Sequence, residues 1–424
     1  MKKLLRKCAI FLLTGAICLG SAGCGKEKDE DATDDSQSQD QNQEALDEEA
    51  TIDDAVVEEE FRVAAMIAPN APSITAKAAI VVEESTGTIL YEKNMREKMY
   101  PASMTKMLTA LIVMDYYSME ELITVGVEIN EVPLDSSKAG HIVGESLTIK
   151  NLIRGLIIPS GNDTANVATV TVARRVKNDN SLNFQECETI FAELMNQKAE
   201  QLGAINSHFS NAHGYHDDNH YSCAYDMALF ARTYMENPDL AAIAGEKSYT
   251  GDGADGMFAT DEGVTTQNYI WRSHNLLLTD NEYNYGKATG IKTGFTDEAG
   301  DCLAAAAEKD GETLLSIIFF SEDPARWTDS KSLFEYGFNQ YERVELLAAK
   351  GVYEEIPLTK QNKLEGATVS AISADAVATY LPVGTSDTLT HSATYLDTYR
   401  VDGKEGAFKL KAPIASGDEI GTAT

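Results

Sequence analysis

Apolar and polar positions alternate in distinct ways along the chain. "KAAIVVEESTGTILYEKN" is two apolar runs around "STG", the pattern of a β-hairpin. "ASMTKMLTALIVMDYY" is apolar on nearly every face and predicts a largely buried helix. "TIKNLIRGLI" reads as helical and stops before Pro159. A second apolar helix is expected from Asp163 to about Val176. "CETIFAELMNQKAEQLG" is amphipathic and ends at Gly203, and "AYDMALFARTYME" is helical again. Residues 204–223 are loop-like. Gly245 to Ser273 is rich in Gly and Asp with few apolar anchors, which predicts an excursion from the core. "ATGIKTGF", "DCLAAAAEKD" and "TLLSIIFF" then read as successive strands, with turns at "TDEAG" and "KDGE". "DSKSLFEYGFNQY" is a last helix.

Strands therefore lie at both ends of residues 76–343 and helices between them. This order predicts an α/β unit: one sheet assembled from both ends, with an inserted helical lobe and a cleft between the two. After about Leu346 come short Thr/Val/Ala-rich runs such as "GATVSAI" and "AVATYLP", expected to form a small all-β domain over 346–424.

The start of the chain has another character. Lys2, Lys3, Arg6 and Lys7 precede an apolar run from Ala9 to Leu19, too short for a comfortable membrane span, and then "SAGC" ending at Cys24. This resembles a bacterial lipoprotein signal over residues 1–24, with Cys24 lipidated after cleavage. Ser21 stands where such signals prefer Leu, and an ordinary secretory signal is the alternative. Residues 25–75 are expected to be a linker. Between Lys26 and Glu60 nearly half the residues are Asp or Glu, too little apolar surface to offset the entropy of ordering. As a coil of about 35 residues this stretch reaches roughly 30 Å. It would hold the folded part off the outer face of the cytoplasmic membrane. The net charge of −32 argues against nucleic acid as a partner. Of six cysteines, only Cys187, Cys223 and Cys302 fall within the expected folded part, and they read as buried thiols rather than a disulfide framework.

Three short patterns could carry chemistry. Ser103 and Lys106 sit three apart at a helix start marked by Pro101, so both side chains share one face. Serine is a poor nucleophile until a base takes its proton. Lysine is a base only when neutral, which at neutral pH requires about 4 kcal/mol of differential stabilisation. Burial, the positive end of a helix and a second cation all act in that direction. Ser160 and Asn162 in "PSGND" lie two apart on a tight loop and can face one cleft, although the same residues make an ordinary turn and cap. In "GIKTGFT", Lys292 and Thr293 on a strand edge offer a charge and a hydroxyl to a carboxylate. Gly294, with no side chain, would let an extended peptide approach. An edge lysine that discourages aggregation is the plainer reading.

Each pattern is weak alone. Ser-x-x-Lys, Ser-x-Asn and Lys-Thr-Gly in this order are the signature of β-lactamases and penicillin-binding proteins. With "LIRGLIIPSGNDTANVA", "HYSCAYDMALFAR" and "TGIKTGFTDEAGDCLAAAA", residues 75–343 resemble the serine D-alanyl-D-alanine carboxypeptidases, the low-molecular-weight penicillin-binding proteins. The resemblance implies the serine β-lactamase/DD-peptidase-like fold over 76–345: an antiparallel sheet flanked by helices plus a helical lobe. It also implies a hydrolase that removes the terminal D-alanine from peptidoglycan stem peptides ending in D-Ala-D-Ala, without a cofactor. β-Lactam antibiotics would acylate it. By the same resemblance Ser103 is the nucleophile, Lys106 its base, Ser160 a proton relay and Asn162 a substrate-orienting amide. Lys292, Thr293 and Gly294 would line the carboxylate side, the backbone N–H groups of Ser103 and Phe295 the oxyanion hole, and Arg326 would help bind the carboxylate. The tail ends in "ASGDEIGTAT", without the amphipathic helix many relatives carry, which fits attachment through Cys24 and fits a shortened C-terminus equally well.

Two stretches point elsewhere. His208, His213, His216 and His220 crowd "HFSNAHGYHDDNH", but on a loop without zinc-like pairing, so no metal is expected. "GDGADG" (Gly251 to Gly256) resembles a calcium loop but lacks the distal Glu. Two alternatives share the fold: a serine β-lactamase and a non-catalytic wall-binding lipoprotein. The lactamase would need a Glu-x-x-Leu-Asn loop, and "ELMN" (Glu193 to Asn196) has the wrong register inside a predicted helix.

Overall fold

The computed structural model describes residues 9–13, 61–64, 66–251, 257–260, 263–266, 268–348, 352–357, 368–373, 376–386, 393–395, 400–401, 409–410 and 419–423. The chain forms two compact units. The larger takes the described residues from Phe61 to Glu345 and regains the chain from Ala378.

Its main sheet has six strands: β1 (Arg62–Val63), β2 (Ala78–Glu83), β3 (Thr88–Lys93), β4 (Ala288–Thr296), β5 (Gly300–Lys309) and β6 (Glu312–Ser321). Their order is β4-β5-β6-β2-β3-β1. All neighbours are antiparallel except the short β1, which runs parallel to β3. The sheet is thus built from both ends of the unit, as its hydrophobic pattern predicts, and β4 forms one edge.

Period-two alternation sends neighbouring residues to opposite faces. Ile80, Val82, Ala304, Ala306, Leu315 and Ile317 face the helical lobe. Ala79, Val81, Leu303, Ala305, Leu314 and Ile318 face α7 (Ala325–Gln340), where Trp327, Leu333 and Phe334 are buried. Both faces are covered, so the strands read as continuous apolar runs.

The lobe holds α1 (Lys106–Tyr116), α2 (Ile149–Ile157), α3 (Asn162–Lys177), α4 (Phe184–Gln201), α5 (Ala224–Glu236) and α6 (Pro238–Ala244). α1 is buried without interruption from Lys106 to Val113, as its all-round apolar sequence requires. α4 starts on a capping box between Asn183 and Glu186. The short α6, absent from the hydrophobic reading, is specified by its ends: the Asn237 side chain accepts from the amides of Asp239 and Leu240, and Pro238 occupies the first turn.

Two expectations change. Order does not wait for Ala76. Phe61 is fully buried, its N–H donates to Tyr225 Oη, and Ala64, Ala68, Ile74 and Ala76 are buried behind it. Asp329 accepts from the amides of Thr75 and Ala76, and Tyr341 from that of Ala68. These ties join residues far apart in sequence and leave no periodicity to read. The Gly245–Ser273 stretch is likewise better rooted than its composition indicates. Ser248–Thr250 pairs with Ile270–Arg272, and Tyr269 and Trp271 are buried in the lobe. Met257–Thr260 and Gly263–Thr266 form a hairpin that joins Leu122–Thr124 and Ser146–Thr148 in a four-stranded sheet.

The regular elements among the described residues of the smaller unit are all strands. Ala9–Leu13, within the N-terminal apolar run, lies between Thr368–Ser373 and Glu419–Ala423 in a five-stranded sheet. Val377–Pro382 instead pairs with Tyr341–Leu347, and Tyr380 and Leu381 are buried, so this piece of the expected C-terminal domain packs with the larger unit.

Candidate active site

Pro101 opens a 3-10 turn, Ala102–Thr105, that runs directly into α1. Ala102 is left-handed, with φ +46°. Ser103 on this turn and Lys106 at the start of α1, three residues apart, face one another, with Lys106 Nζ 2.9 Å from Ser103 Oγ. The same Nζ is 2.7 Å from Asn162 Oδ1 and 2.8 Å from the carbonyl oxygen of His213. Ser103 is half-buried and Lys106 fully buried.

The charge balance favours a neutral amine. Burial drives the pKa of Lys106 well below its ordinary value, the positive charge of Lys292 adds to the shift, and Asp163 opposes it. Lys292 is itself buried on β4, where its Nζ donates to the Thr293 carbonyl oxygen. Desolvation first, and then Arg326, push its pKa down to about 7.

The Ser160–Asn162 turn is held from below. Gly161 N–H donates to Gly155 O and Asn162 N–H to Ser137 O, both at 2.8 Å. Ser160 is buried in a left-handed conformation, φ +58°, and Asn162 begins α3. Ser160 has no direct hydrogen bond to Ser103 or Lys106 among the described residues, whereas Asn162 touches Lys106 directly.

On β4, Thr293 is buried and Phe295 is 59% exposed. Gly294 has a different task from the one its sequence suggests. A Cβ there would come 2.8 Å from Pro101 O and 3.2 Å from Ala102 Cβ. The missing side chain admits the nucleophile-bearing turn against the strand, not an incoming peptide. Nor is Lys292 a solvent-facing edge lysine: it is 1% exposed. Arg326, at the start of α7, is paired with Asp301, lies over the Trp327 ring and reaches the Gly294 carbonyl oxygen at 3.4 Å.

The histidine-rich loop supports this site through hydrogen bonds. Besides the His213 carbonyl, Thr109 Oγ1 donates to Ala212 O at 2.6 Å, and His220 Nε2 lies 2.8 Å from Thr105 Oγ1. His220 Nδ1 accepts from Ser210 N–H, so Nε2 carries the proton and donates. Burial holds both His213 and His220 down to about 3. Among the described residues no group of three or more His, Cys, Asp or Glu could hold a metal ion. Gly214, φ +83°, brings the loop against the Ala102 backbone, where a Cβ would meet the carbonyl oxygen at 1.9 Å. Sequence reasoning missed the His213 carbonyl and Asp163. A main-chain acceptor leaves no side-chain signal, and Asp163 reads as a helix-cap residue. The "GDGADG" stretch falls largely outside the described residues. "ELMN" lies within α4, where Asn196 accepts from Phe209 N–H and donates to its carbonyl, a structural tie.

The chain has relatives in sequence and in fold. Residues 65–322 match the sequence model of a family described as D-alanyl-D-alanine carboxypeptidase (Peptidase_S11). D-alanyl-D-alanine carboxypeptidase DacF of Bacillus subtilis is 28% identical over 356 residues, covering 82% of this chain and 80% of its own. DacA of Escherichia coli is 31% identical over 287 residues, covering 65% of this chain and 64% of its own. Among solved structures, the Streptomyces K15 DD-transpeptidase is 28% identical with a TM-score of 0.56, covering 63% of this chain and 99% of that one. Penicillin-binding protein 5 from Haemophilus influenzae is 26% identical with a TM-score of 0.64, covering 83% and 92%.

Proposed function

Because this chain belongs to the D-alanyl-D-alanine carboxypeptidase family, we propose that it removes the terminal D-alanine from peptidoglycan stem peptides through an acyl-enzyme on Ser103. The observation that carries the reading is the buried Lys106 amine, 2.9 Å from Ser103 Oγ and near a second cation. A neutral amine has two N–H donors and one lone pair. Asn162 Oδ1 and His213 O accept the two donors, and the lone pair is left for the Ser103 hydroxyl proton.

Ser103 Oγ attacks the carbonyl carbon of the penultimate D-alanine as its proton passes to Lys106 Nζ. The carbonyl electron pair moves onto oxygen, which the N–H groups of Ser103 and Phe295 stabilise. Collapse breaks the C–N bond, and the departing D-alanine nitrogen takes up a proton relayed through Ser160. Water then hydrolyses the ester and frees Ser103. Asn162 orients the substrate while holding Lys106. Lys292 and Thr293 receive the terminal carboxylate, with Arg326 adding positive charge behind Gly294. A β-lactam follows the same first step and leaves a slowly hydrolysed ester. No deacylating glutamate of the β-lactamase kind is supplied by "ELMN", which lies within α4 with Glu193 exposed and Asn196 tied to Phe209.

The test uses a labelled penicillin and a peptide ending in D-Ala-D-Ala, comparing wild type with Ser103→Ala. A lasting label and D-alanine release, both lost in the variant, are expected. Rapid antibiotic turnover without D-alanine release would favour the lactamase, and neither label nor release in wild type the wall-binding lipoprotein.

Attachment is a separate part of the proposal. Cys24 lies outside the described residues, and the support is the sequence before it: a basic start, a short apolar run and "SAGC". Lipidation there would place the enzyme on the outer face of the cytoplasmic membrane. Among the described residues no helix is long and apolar enough to cross a membrane.

A further inference from the structure

A second polar cluster lies behind the Ser160–Asn162 turn, and none of the steps above uses it. Glu145 and Thr164 are fully buried, and His141 and Tyr269 are nearly so. His141 Nδ1 is 2.6 Å from Glu145 Oε1, and Tyr269 Oη donates to the same oxygen. A carboxylate only accepts, so the ring proton sits on Nδ1. Nε2 then faces Thr164 Oγ1 at 2.9 Å, in the first turn of α3.

The cluster is tied in from three sides. Asp163 accepts from the amides of Ala139, Gly140 and His141. Trp271 Nε1 donates to Ala139 O at 2.8 Å. The His141 ring meets those of Tyr269 and Trp271 edge-on. There is little slack: a Cβ on Gly155 would come 2.8 Å from Thr164 Oγ1 and 3.3 Å from His141 Nε2.

A buried ionisable pair stabilises a fold poorly compared with apolar residues of the same shape, because desolvation offsets most of the attraction. Glu145 carries a further cost, since its Oε2 is buried with no hydrogen-bond partner among the described residues. What the pair does provide is direction. It fixes Thr164, two residues beyond Asn162, and thereby the rotation of the helix turn whose Asn162 amide meets Lys106.

We propose that His141 and Glu145 are positioning residues for acyl transfer, acting through Thr164 to aim Asn162, and with it Ser160, at the Ser103–Lys106 pair. The inference rests on the acyl-enzyme reading above. Neither residue touches substrate, so loosening the mount should lower the chemical step and leave binding alone.

The test is steady-state D-alanine release together with the rate of penicillin acylation, on the full chain. His141→Ala and Glu145→Leu should each lower kcat and the acylation rate at least about tenfold, with KM within about twofold of wild type. Glu145→Gln keeps an acceptor for Nδ1–H and Tyr269 Oη and should recover most of the rate. Thr164→Val removes only the hydroxyl and should reproduce the loss, so the reading survives if His141→Ala fails to fold. Combined with Thr164→Val, Glu145→Leu should add little further loss, since both cut one chain of contacts. Variants that keep wild-type kcat would overturn the proposal. So would a loss matching only the fraction unfolded at the assay temperature, or a raised KM with kcat unchanged. A wild-type chain that neither releases D-alanine nor takes the label would sink the acyl-enzyme reading itself, a result separate from these.

Discussion

The carbonyl oxygen of His213 lies 2.8 Å from Lys106 Nζ, although 107 residues separate the two. A backbone atom of the histidine-rich loop thereby becomes part of the lysine's setting. The next residue, Gly214, makes the contact possible with its positive φ and its missing side chain. Gly214→Ala would press a methyl group onto the Ala102 carbonyl and push the loop off the nucleophile turn. Penicillin acylation should fall by about a hundredfold or more in protein that is still folded. Acylation at the wild-type rate would mean that the loop does not need this approach.

Asn162→Asp keeps the size of the side chain and places a negative charge beside Lys106 Nζ. A carboxylate at that distance favours the protonated amine. The acidic limb of the acylation pH profile should move to higher pH. The rate near neutrality should drop about ten- to a hundredfold and recover in part as pH rises. An unmoved profile would mean that the amine is not the titrating base.

Lys292 offers a thermodynamic check. Its pKa is pushed down to about 7 by burial and Arg326, against about 10.4 in an unfolded chain. Between those values the unfolded chain holds a proton that the native protein has released. Stability therefore rises with pH across this window, by an amount on the order of 4 kcal/mol when complete. Relative to Lys292→Met, the denaturant midpoint of wild type should climb from pH 7 to pH 10. Parallel curves for the two proteins would show that Lys292 titrates alike in both states.

Attachment through Cys24 predicts incorporation of a labelled fatty acid in a bacterial host that processes lipoproteins, abolished by Cys24→Ala. Equal labelling of both chains, or of neither, would leave Cys24 without that role.

The helices α3, α4, α5 and α7 and the three long strands after residue 287 were legible because local periodicity specifies them. Ser103 and Lys106 were legible because a spacing of three on a helical turn dictates that they meet. Phe61 was not: its burial depends on Tyr225, 164 residues away. The role of Gly294 was misassigned, since a glycine on a strand signals a close approach but not which partner approaches. His141 and Glu145 sit four apart in a loop where no period operates, and only Tyr269, just before the Ile270–Arg272 strand, and α3 make them a pair.

α1, buried from Lys106 through Val113, also limits how this site can change. Every alteration over Lys106–Val113 is a core substitution, with the cost that a close-packed interior imposes. New substrate preference or antibiotic tolerance must then arise around the rim, in exposed side chains such as Phe295 on β4. Random mutagenesis scored for retained D-alanine release should return an almost invariant pillar inside a variable collar.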